Sequence, residues 1–207
     1  TYKNLEIVVV DDGSTDNTPI IIDQLAKRDE RIVVFHKTNG GLVDARQYGV
    51  ERITGKYVMF VDGDDYISED LCEKLLASIT NSGADCVVAD YLLVSDTENL
   101  PAILYIEGSA EEELKDKNDF VSFIKKYYFG GDDKIRLSDS VCGNLYLSKI
   151  MKSVHEMTPY IPLNEDTCTT WLYLLNSKVS KRYFVAVSSC AEKTRAKNLD
   201  FFILKIT

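Results

Sequence analysis

Strand-length apolar runs alternate with helical patterns along the first sixty residues of this chain. Residues 57–61 form a continuous apolar run, typical of a strand buried on both faces; residues 5–10 form a similar run that contains one charged residue, Glu6, and residues 32–35 form a shorter one. One helical pattern follows the first strand, and a second covers residues 42–53. This order predicts an α/β domain with a Rossmann-like, mostly parallel sheet, in which ligands bind beyond the carboxyl ends of the strands.

The second part of the chain has weaker patterns that extend the same domain. Helices are predicted over residues 68–80, capped by Ser68, and over 119–128 and 165–176. Strands are predicted over residues 85–91, 141–147 and 179–187, the last followed by a charged tail. Residues 92–108 are predicted as a loop or hairpin, and residues 130–139 as a polar loop.

Composition restricts the partners that the chain can bind. Its 207 residues, 45% of them hydrophobic, can bury one full core. The net charge of -9 repels nucleic-acid backbones, so nucleic acid is not an expected partner. No apolar run reaches the roughly 18 residues of a membrane-spanning helix, and the first residues lack signal-peptide features, so we expect a soluble cytoplasmic chain.

The cysteines and histidines form no recognisable metal or disulfide pattern. The five cysteines are scattered singly, with no C-x-x-C pair and an odd count, which predicts reduced core thiols. His36 and His155 have no neighbour at ligand spacing, so we expect a structural or surface role for each.

Two adjacent carboxylates, Asp11 and Asp12, end the first strand and are followed by Gly13 and Ser14. Adjacent carboxylates repel each other unless a ligand binds them or loop amides donate hydrogen bonds to them. Asp, Gly and Ser are also common turn formers, so simple turn and cap chemistry is an equally good explanation of this motif alone.

A second acidic cluster, Asp62, Gly63, Asp64 and Asp65, follows the third strand. Mg²⁺ and Mn²⁺ prefer oxygen ligands and usually take one or two carboxylates together with phosphate oxygens and water. The D-x-D triplet can supply such carboxylates at the ligand-binding edge of the sheet. The alternative is an acidic loop that caps the next helix.

A glycine-containing motif precedes the second helix. Gly40 and Gly41 permit close backbone approach, and Arg46, one turn into the helix, can face a phosphate or a base. The alternative is a surface arginine paired with Asp44 or Glu51.

Glu165 and Asp166 begin a predicted helix much later in the chain. Acidic residues are favoured there by the helix dipole, so local evidence predicts only a cap.

Together, these four motifs resemble the family 2 glycosyltransferases. That family has D-D-G-S-x-D after a strand, then N-x-G-x-x-x-A-R-x-x-G, then G-x-Y-x-x-F-x-D-x-D-D, and much later an E-D pair. The corresponding residues here are 11–16, 39–49, 55–65, and Glu165 with Asp166. The combined order is specific, although each motif alone is common.

The resemblance implies the A-type glycosyltransferase fold and an inverting hexosyltransferase that uses a nucleoside diphosphate sugar with uracil as the base. It implies that Asp166 is the catalytic base, with Glu165 as its neighbour or substitute, and that Mn²⁺ or Mg²⁺ binds at Asp62 and Asp64. The implied donor-binding residues are Asp11, Asp12, Gly13, Gly41, Arg46, Asp62 and Gly63.

The resemblance also implies an acceptor, a setting and a division of the domain. The acceptor would be a carbohydrate or a lipid-linked sugar in surface polysaccharide or glycolipid synthesis, with any membrane contact being peripheral and at the inner face. Residues 1–91 would form the donor-binding half, and residues 92–207 the acceptor-side half of the same domain.

The chain departs from the family pattern at two places. The family has a further strand ending in P-x-Y-N, and a helix, before the point where this sequence starts, so we expect an N-terminally truncated version of the fold. Residues 187–197 lack the family's usual aromatic and glycine pattern in an acceptor-side loop.

Three other classes of protein share part of the pattern. A phosphoacceptor receiver domain also has paired acids after its first strand and an acid after its third. It requires a Ser or Thr at the end of the next strand, where this chain has Ala89, Asp90 and Tyr91. A sugar-1-phosphate nucleotidyltransferase shares the sheet and the metal but relies on a basic glycine-rich loop, which is not found here. A non-catalytic module that binds a nucleotide sugar or a protein on the same fold is the third alternative.

Overall fold

The computed structural model describes residues 2–63, 65–93, 140–157, 165–177, 186–193 and 201–206, together with residues 119, 122 and 125. Within these residues, strands and helices alternate through the first half of the chain, as the sequence predicts. The strands are β1 (Leu5–Asp11), β2 (Ile32–His36), β3 (Tyr57–Val61), β4 (Asp65–Ile67), β5 (Cys86–Leu93), β6 (Leu145–Leu147), β7 (Ala186–Lys193) and β8 (Phe201–Ile206). The helices are α1 (Thr18–Ala26), α2 (Leu42–Arg52), α3 (Leu71–Ser82), α4 (Ser148–Met157) and α5 (Glu165–Asn176).

The described strands form one sheet in the order β2-β1-β8-β3-β6-β5-β7-β4. Strands β1 and β2 pair in parallel, as do β5 and β7. Strand β8 is antiparallel to both of its neighbours, β1 and β3, so these two run in the same direction. The carboxyl ends of β1, β2 and β3 therefore meet at one edge of the sheet, which is where the first three motifs lie.

Strand β3 is buried along its whole length because helices cover both faces of the sheet. Val58 and Phe60 pack with residues of α2, α4 and α5 in one core cluster. Tyr57, Met59 and Val61 pack with residues of α3 in a second cluster on the opposite face. This alternation explains why the strand reads as a continuous apolar run, since neither face meets water. A rigid β3 fixes the position of Asp62 at its end.

Several predicted bounds agree with the structure and others do not. Strand β3 and helix α5 have the predicted bounds, and β1, β2, α2 and β5 differ by a few residues at most. Helix α3 begins at Leu71, after strand β4, so Ser68 is not its cap; its hydroxyl instead donates to Asp70 Oδ1 at 2.9 Å.

The later part of the chain requires further corrections. The sequence predicts one strand over residues 141–147, but Gly143 has a φ of 76° and only residues 145–147 form β6. Helix α4 is absent from the sequence-based prediction. The predicted end of the last strand at residue 187 is wrong, because β7 continues to Lys193, and the predicted charged tail contains strand β8.

Other predicted segments lie outside the described residues. These are most of the helix over 119–128, the loop over 130–139, most of the segment 92–108, and residues 179–185. In the part of the chain that is described, no helix is long and apolar enough to cross a membrane.

Candidate active site

The first site residue, Asp11, is held at the carboxyl end of β1 by its two neighbours in space. Its Oδ1 accepts a hydrogen bond from the Ser14 amide at 2.9 Å, and its Oδ2 lies 2.7 Å from Nδ1 of His36 at the end of β2. Burial alone would raise the pKa of Asp11, but the hydrogen bonds from His36 and Ser14 outweigh burial and lower it. The Asp11 carboxylate is therefore ionised, and its hydrogen bonds with Ser14 and His36 hold it in the loop.

Asp12 joins the two loops that follow β1 and β2. Its carboxylate accepts hydrogen bonds from the amides of Gly40 at 2.9 Å and Gly41 at 2.7 Å. The ammonium group of Lys37 also contacts it and bridges to Asp44. The Asp12 carboxylate thus organises the loop that leads into α2, and its predicted role in donor binding stays a prediction.

Gly13 lies at a close approach between these two loops. Its φ is 77°, and a Cβ atom placed there would lie 2.7 Å from the backbone nitrogen of Asn39. Only glycine fits both the left-handed conformation and the short distance. Gly41, with a φ of 85°, starts α2 in the same way, but a Cβ atom added there would have no described neighbour within 4 Å.

The D-x-D segment makes a tight turn at the end of β3. The amide of Asp65 donates to the carbonyl of Asp62 at 3.0 Å, with Gly63 inside the turn. Asp64, a predicted metal ligand, lies outside the described residues. The Oδ1 atom of Asp62 is buried and accepts no hydrogen bond from the described residues.

Arg46 brings together acidic residues from distant parts of the chain. Its side chain is 4% exposed and donates from Nη1 to Asp166 Oδ1, at the start of α5. Nη1 also lies 3.8 Å from Glu165 Oε1, and Nη2 lies 3.5 Å from Asp62 Oδ1. The alternative of a surface arginine paired with Asp44 or Glu51 is therefore wrong. We name Arg46, Asp62, Glu165 and Asp166 the carboxylate cluster.

Asp166 has the properties of a carboxylate that can exchange a proton. Burial raises its pKa above the ordinary value, Arg46 opposes the shift, and Glu165 and Asp62 add to it. From the described residues, its Oδ2 receives only a long contact with the Val141 amide, at 3.4 Å.

A short segment after residue 140 closes the cluster from one side. The amide of Gly143 donates to the carbonyl of Phe60 at 2.9 Å, and Cys142 forms an isolated bridge with the same residue. Burial, then the charge of Asp62, raises the pKa of the Cys142 thiol well above its ordinary value. Cys142 is thus a protonated thiol beside the carboxylate cluster, with no partner cysteine among the free cysteines of the described chain.

His155 lies behind Arg46, where α2 and α4 border a groove of about 280 Å³. Both ring nitrogens are buried and accept or donate no hydrogen bond among the described residues. Burial, then the positive charge of Arg46, lowers the pKa of His155 to about 4. This histidine is a neutral part of the core that supports the cluster.

Sequence reasoning missed three contributors to the site. His36 and Lys37 follow directly on the second predicted strand, so their position at the strand end is a usable signal. No local sequence signal marks Cys142 as a site residue, because its approach to Asp62 and Arg46 depends on a chain reversal at Gly143.

No group of three or more His, Cys, Asp or Glu side chains in the described ranges is arranged to hold a metal ion. Of the two predicted metal ligands, Asp62 lies within these ranges and Asp64 lies outside them, so the metal site stays a prediction.

The chain is similar in sequence to proteins that are named as glycosyltransferases. GlyA, a glycosyltransferase of Streptococcus pneumoniae serotype 4, is 34% identical over 180 residues, which are 86% of this chain and 25% of that protein. The putative glycosyltransferase EpsH of Bacillus subtilis strain 168 is 40% identical over 91 residues, which are 44% of this chain and 26% of that protein. The chain thus spans about a quarter of the length of these two relatives.

Solved structures give the same fold. The structure of S. aureus TarS 1–349 in complex with UDP-GlcNAc matches with a TM-score of 0.63 and 23% identity, over 93% of this chain and 50% of that one. Its complex with UDP matches with a TM-score of 0.62 and 22% identity, over 91% and 51% of the two chains. The likeness confirms the predicted A-type α/β fold. Residues 1–129 match the model of glycosyl transferase family 2, and the chain belongs to that family.

Proposed function

We propose that this protein transfers a sugar from a UDP-sugar to an acceptor hydroxyl with inversion at the anomeric carbon, in surface polysaccharide or glycolipid synthesis. The observation that carries the proposal is the carboxylate cluster. It joins the end of β3 to the start of α5 at the edge of the sheet where parallel α/β folds bind ligands.

In the proposed reaction Asp166 is the general base. Its Oδ2 takes the proton from the acceptor hydroxyl while that oxygen bonds to the anomeric carbon. The bond from this carbon to the diphosphate breaks on the opposite face, and UDP leaves with the electron pair. Burial and the neighbouring acids raise the pKa of Asp166, which makes it a better base than an exposed aspartate.

The proposal includes a divalent cation that is shared with the donor and held by Asp62 and Asp64. Mg²⁺ and Mn²⁺ take one or two carboxylates and complete their shell with phosphate oxygens and water, so a cluster of three protein ligands is not required. The buried Oδ1 of Asp62 accepts no described hydrogen bond, and its ion-pair partner Arg46 Nη2 lies 3.5 Å away, so a lone pair can still face a cation. A cation held by Asp62 and Asp64 would neutralise charge on the leaving diphosphate.

The loops after β1 and β2 supply the proposed donor pocket. Gly13, Gly41 and Asp12 fix the shape of these loops, and the Asp11 side chain is anchored to His36. Support for UDP as the nucleotide comes from the TarS complexes with UDP and UDP-GlcNAc, which are similar in fold.

The first test is thermal unfolding with UDP, GDP and CMP, each with and without Mn²⁺. A ligand that binds only the folded state at a hundred times its dissociation constant stabilises it by about 2.7 kcal/mol. We expect a rise of the midpoint with UDP that depends on Mn²⁺ and is lost in Asp64→Ala.

The second test is UDP release from UDP-GlcNAc and other UDP-sugars, with Asp166→Asn as the variant. A base contributes roughly 10²- to 10⁴-fold, so we expect a loss in kcat of that size while UDP binding persists. UDP binding with neither hydrolysis nor transfer, across all donors, would instead favour the non-catalytic module.

A further inference from the structure

The family resemblance assigns Arg46 to the donor, yet its guanidinium contacts the acids of the carboxylate cluster. It extends from α2 and uses both terminal nitrogens on acids: Nη1 on Asp166, and Nη2 towards Asp62. Asp62 directly follows β3 and Asp166 lies in the first turn of α5, so about half of the chain separates the two acids. Arg46 is therefore the direct link between the end of β3 and the start of α5.

The burial of Arg46 argues that this link is fixed. Its side chain is 4% exposed, and a guanidinium is removed from water at a high cost unless carboxylates replace its hydration. Its planar fork gives such contacts a defined geometry, which an ammonium group would not give. An arginine in this position loses its partners if it turns towards a diphosphate.

The two carboxylate oxygens of Asp166 have different contacts. Oδ1 accepts the hydrogen bond from Arg46, whereas Oδ2 has, within the described part of the chain, only the 3.4 Å contact with the Val141 amide. A carboxylate whose Oδ1 is anchored presents Oδ2 in one direction. This arrangement orients the oxygen that takes the proton.

We propose that Arg46 is a positioning residue, which holds Asp166 by its Oδ1 and aims its Oδ2 at the acceptor hydroxyl, and that it is not a ligand of the donor diphosphate. The inference rests on the proposed function, in which Asp166 is the base. It adds that one guanidinium sets the direction of proton transfer and ties the base to the β3 end.

The test compares Arg46→Gln and Arg46→Lys with Arg28→Gln, which makes the same chemical change on an exposed residue of the segment after α1. For each variant, kcat and the donor KM are measured with the UDP-sugar that the wild type uses, and UDP affinity is measured by calorimetry with Mn²⁺. Circular dichroism checks that each variant is folded. If Arg46→Gln does not fold, Arg46→Lys is used for the same measurements in its place.

We expect Arg46→Gln to lower kcat by about 10²-fold, the lower end of the range for a general base, with the donor KM and UDP affinity within about threefold of wild type. Arg46→Lys should recover part of kcat, because it keeps the charge but not the fork. Without the guanidinium, the acidic limb of the kcat profile should move to higher pH, since the charge that favours ionised Asp166 is gone.

A tenfold or greater loss of UDP affinity in Arg46→Gln would overturn the proposal and return Arg46 to the donor site. An unchanged kcat would overturn it as well, because Asp166 would then act without the guanidinium. The calorimetric result decides this even for a protein in which no transfer is detected. Asp166→Asn separates the two hypotheses: full activity in that variant contradicts the assigned base and the proposed function, whatever Arg46 does.

Discussion

His36 shows how one side chain can connect a strand end to a helix. It lies between Asp11 at the end of β1 and Asp23 on α1, with its two ring nitrogens at 2.7 Å and 3.2 Å from their carboxylates. These two contacts, that with Asp11 first, raise the pKa of His36 above its ordinary value. Its charged form therefore stabilises the folded state.

This arrangement predicts a pH-dependent stability. The contribution of His36 is fully present below about pH 6.5, the usual pKa of a histidine in an unfolded chain, and is lost as the pH rises through its raised folded-state pKa. We expect His36→Gln to lower the free energy of unfolding more at pH 6 than at pH 9, measured by urea denaturation. His155 titrates in both proteins and cancels in the difference. An equal loss at the two pH values would contradict the prediction.

Asp12 gives a second prediction at the scale of one residue. Its carboxylate satisfies the amides of Gly40 and Gly41 and the ammonium of Lys37, with 12% of its side chain exposed. Removing these acceptors in Asp12→Ala should lower the free energy of unfolding by about 1–3 kcal/mol, because the partners lose their hydrogen bonds. Glu30→Ala, at a position outside the site, is the control for loss of one negative charge. Stability equal to that control would show that the loop does not depend on Asp12.

Among the secondary-structure elements, helix α2 depends on the glycines around its start. Gly13 and Gly41 both have positive φ, but only Gly13 of these two lies against another loop in the described structure. A substitution at Gly41 carries backbone strain alone, whereas one at Gly13 also forces the two loops apart.

The two glycines therefore form a matched pair for a test. We expect Gly41→Ala to cost about 1 kcal/mol, within the range for a residue held in an unfavourable backbone region, and Gly13→Ala to cost more, because its Cβ would meet the Asn39 backbone. Thermal unfolding measures the stability, and UDP affinity reports on loop geometry. A Gly13→Ala protein as stable as Gly41→Ala would mean that the loops separate without cost.

The local pattern of apolar residues predicts an element correctly when the buried faces of that element determine where its apolar residues fall. Strand β3 is buried on both faces and helix α5 has a regular apolar face, so the sequence predicts both with their bounds. Helix α4 escapes prediction, although Ile150, Met151 and Val154 have helical spacing, because polar residues interrupt them. The contact of Arg46 with Asp166 joins residues 120 positions apart, and no local pattern encodes such a pairing.

For the molecule as a whole, the position of β8 determines whether the sheet is continuous. It is hydrogen-bonded on both sides, to β1 along Leu5–Val10 and to β3 along Tyr57–Val61. Without it, two central strands would expose unpaired amides and carbonyls in the core, where such groups are costly.

Removal of residues 201–206 should therefore abolish cooperative thermal unfolding, followed by circular dichroism, and promote aggregation through the exposed strand edges. A variant lacking only Thr207 retains every residue of β8 and is the control. If the shortened chain kept the wild-type midpoint, β8 would not be an integral part of the sheet.

The same strand sets an order of events during synthesis. Strands β1 and β3, which end at Asp11 and just before Asp62, leave the ribosome before the strand that joins them, which lies beyond residue 200. Contacts across such long separations in sequence form slowly. A nascent chain would hold both acidic motifs while lacking the connection between them, so the donor pocket should gain its shape only after β8 has been synthesised, and chaperone binding should be strongest just before that point.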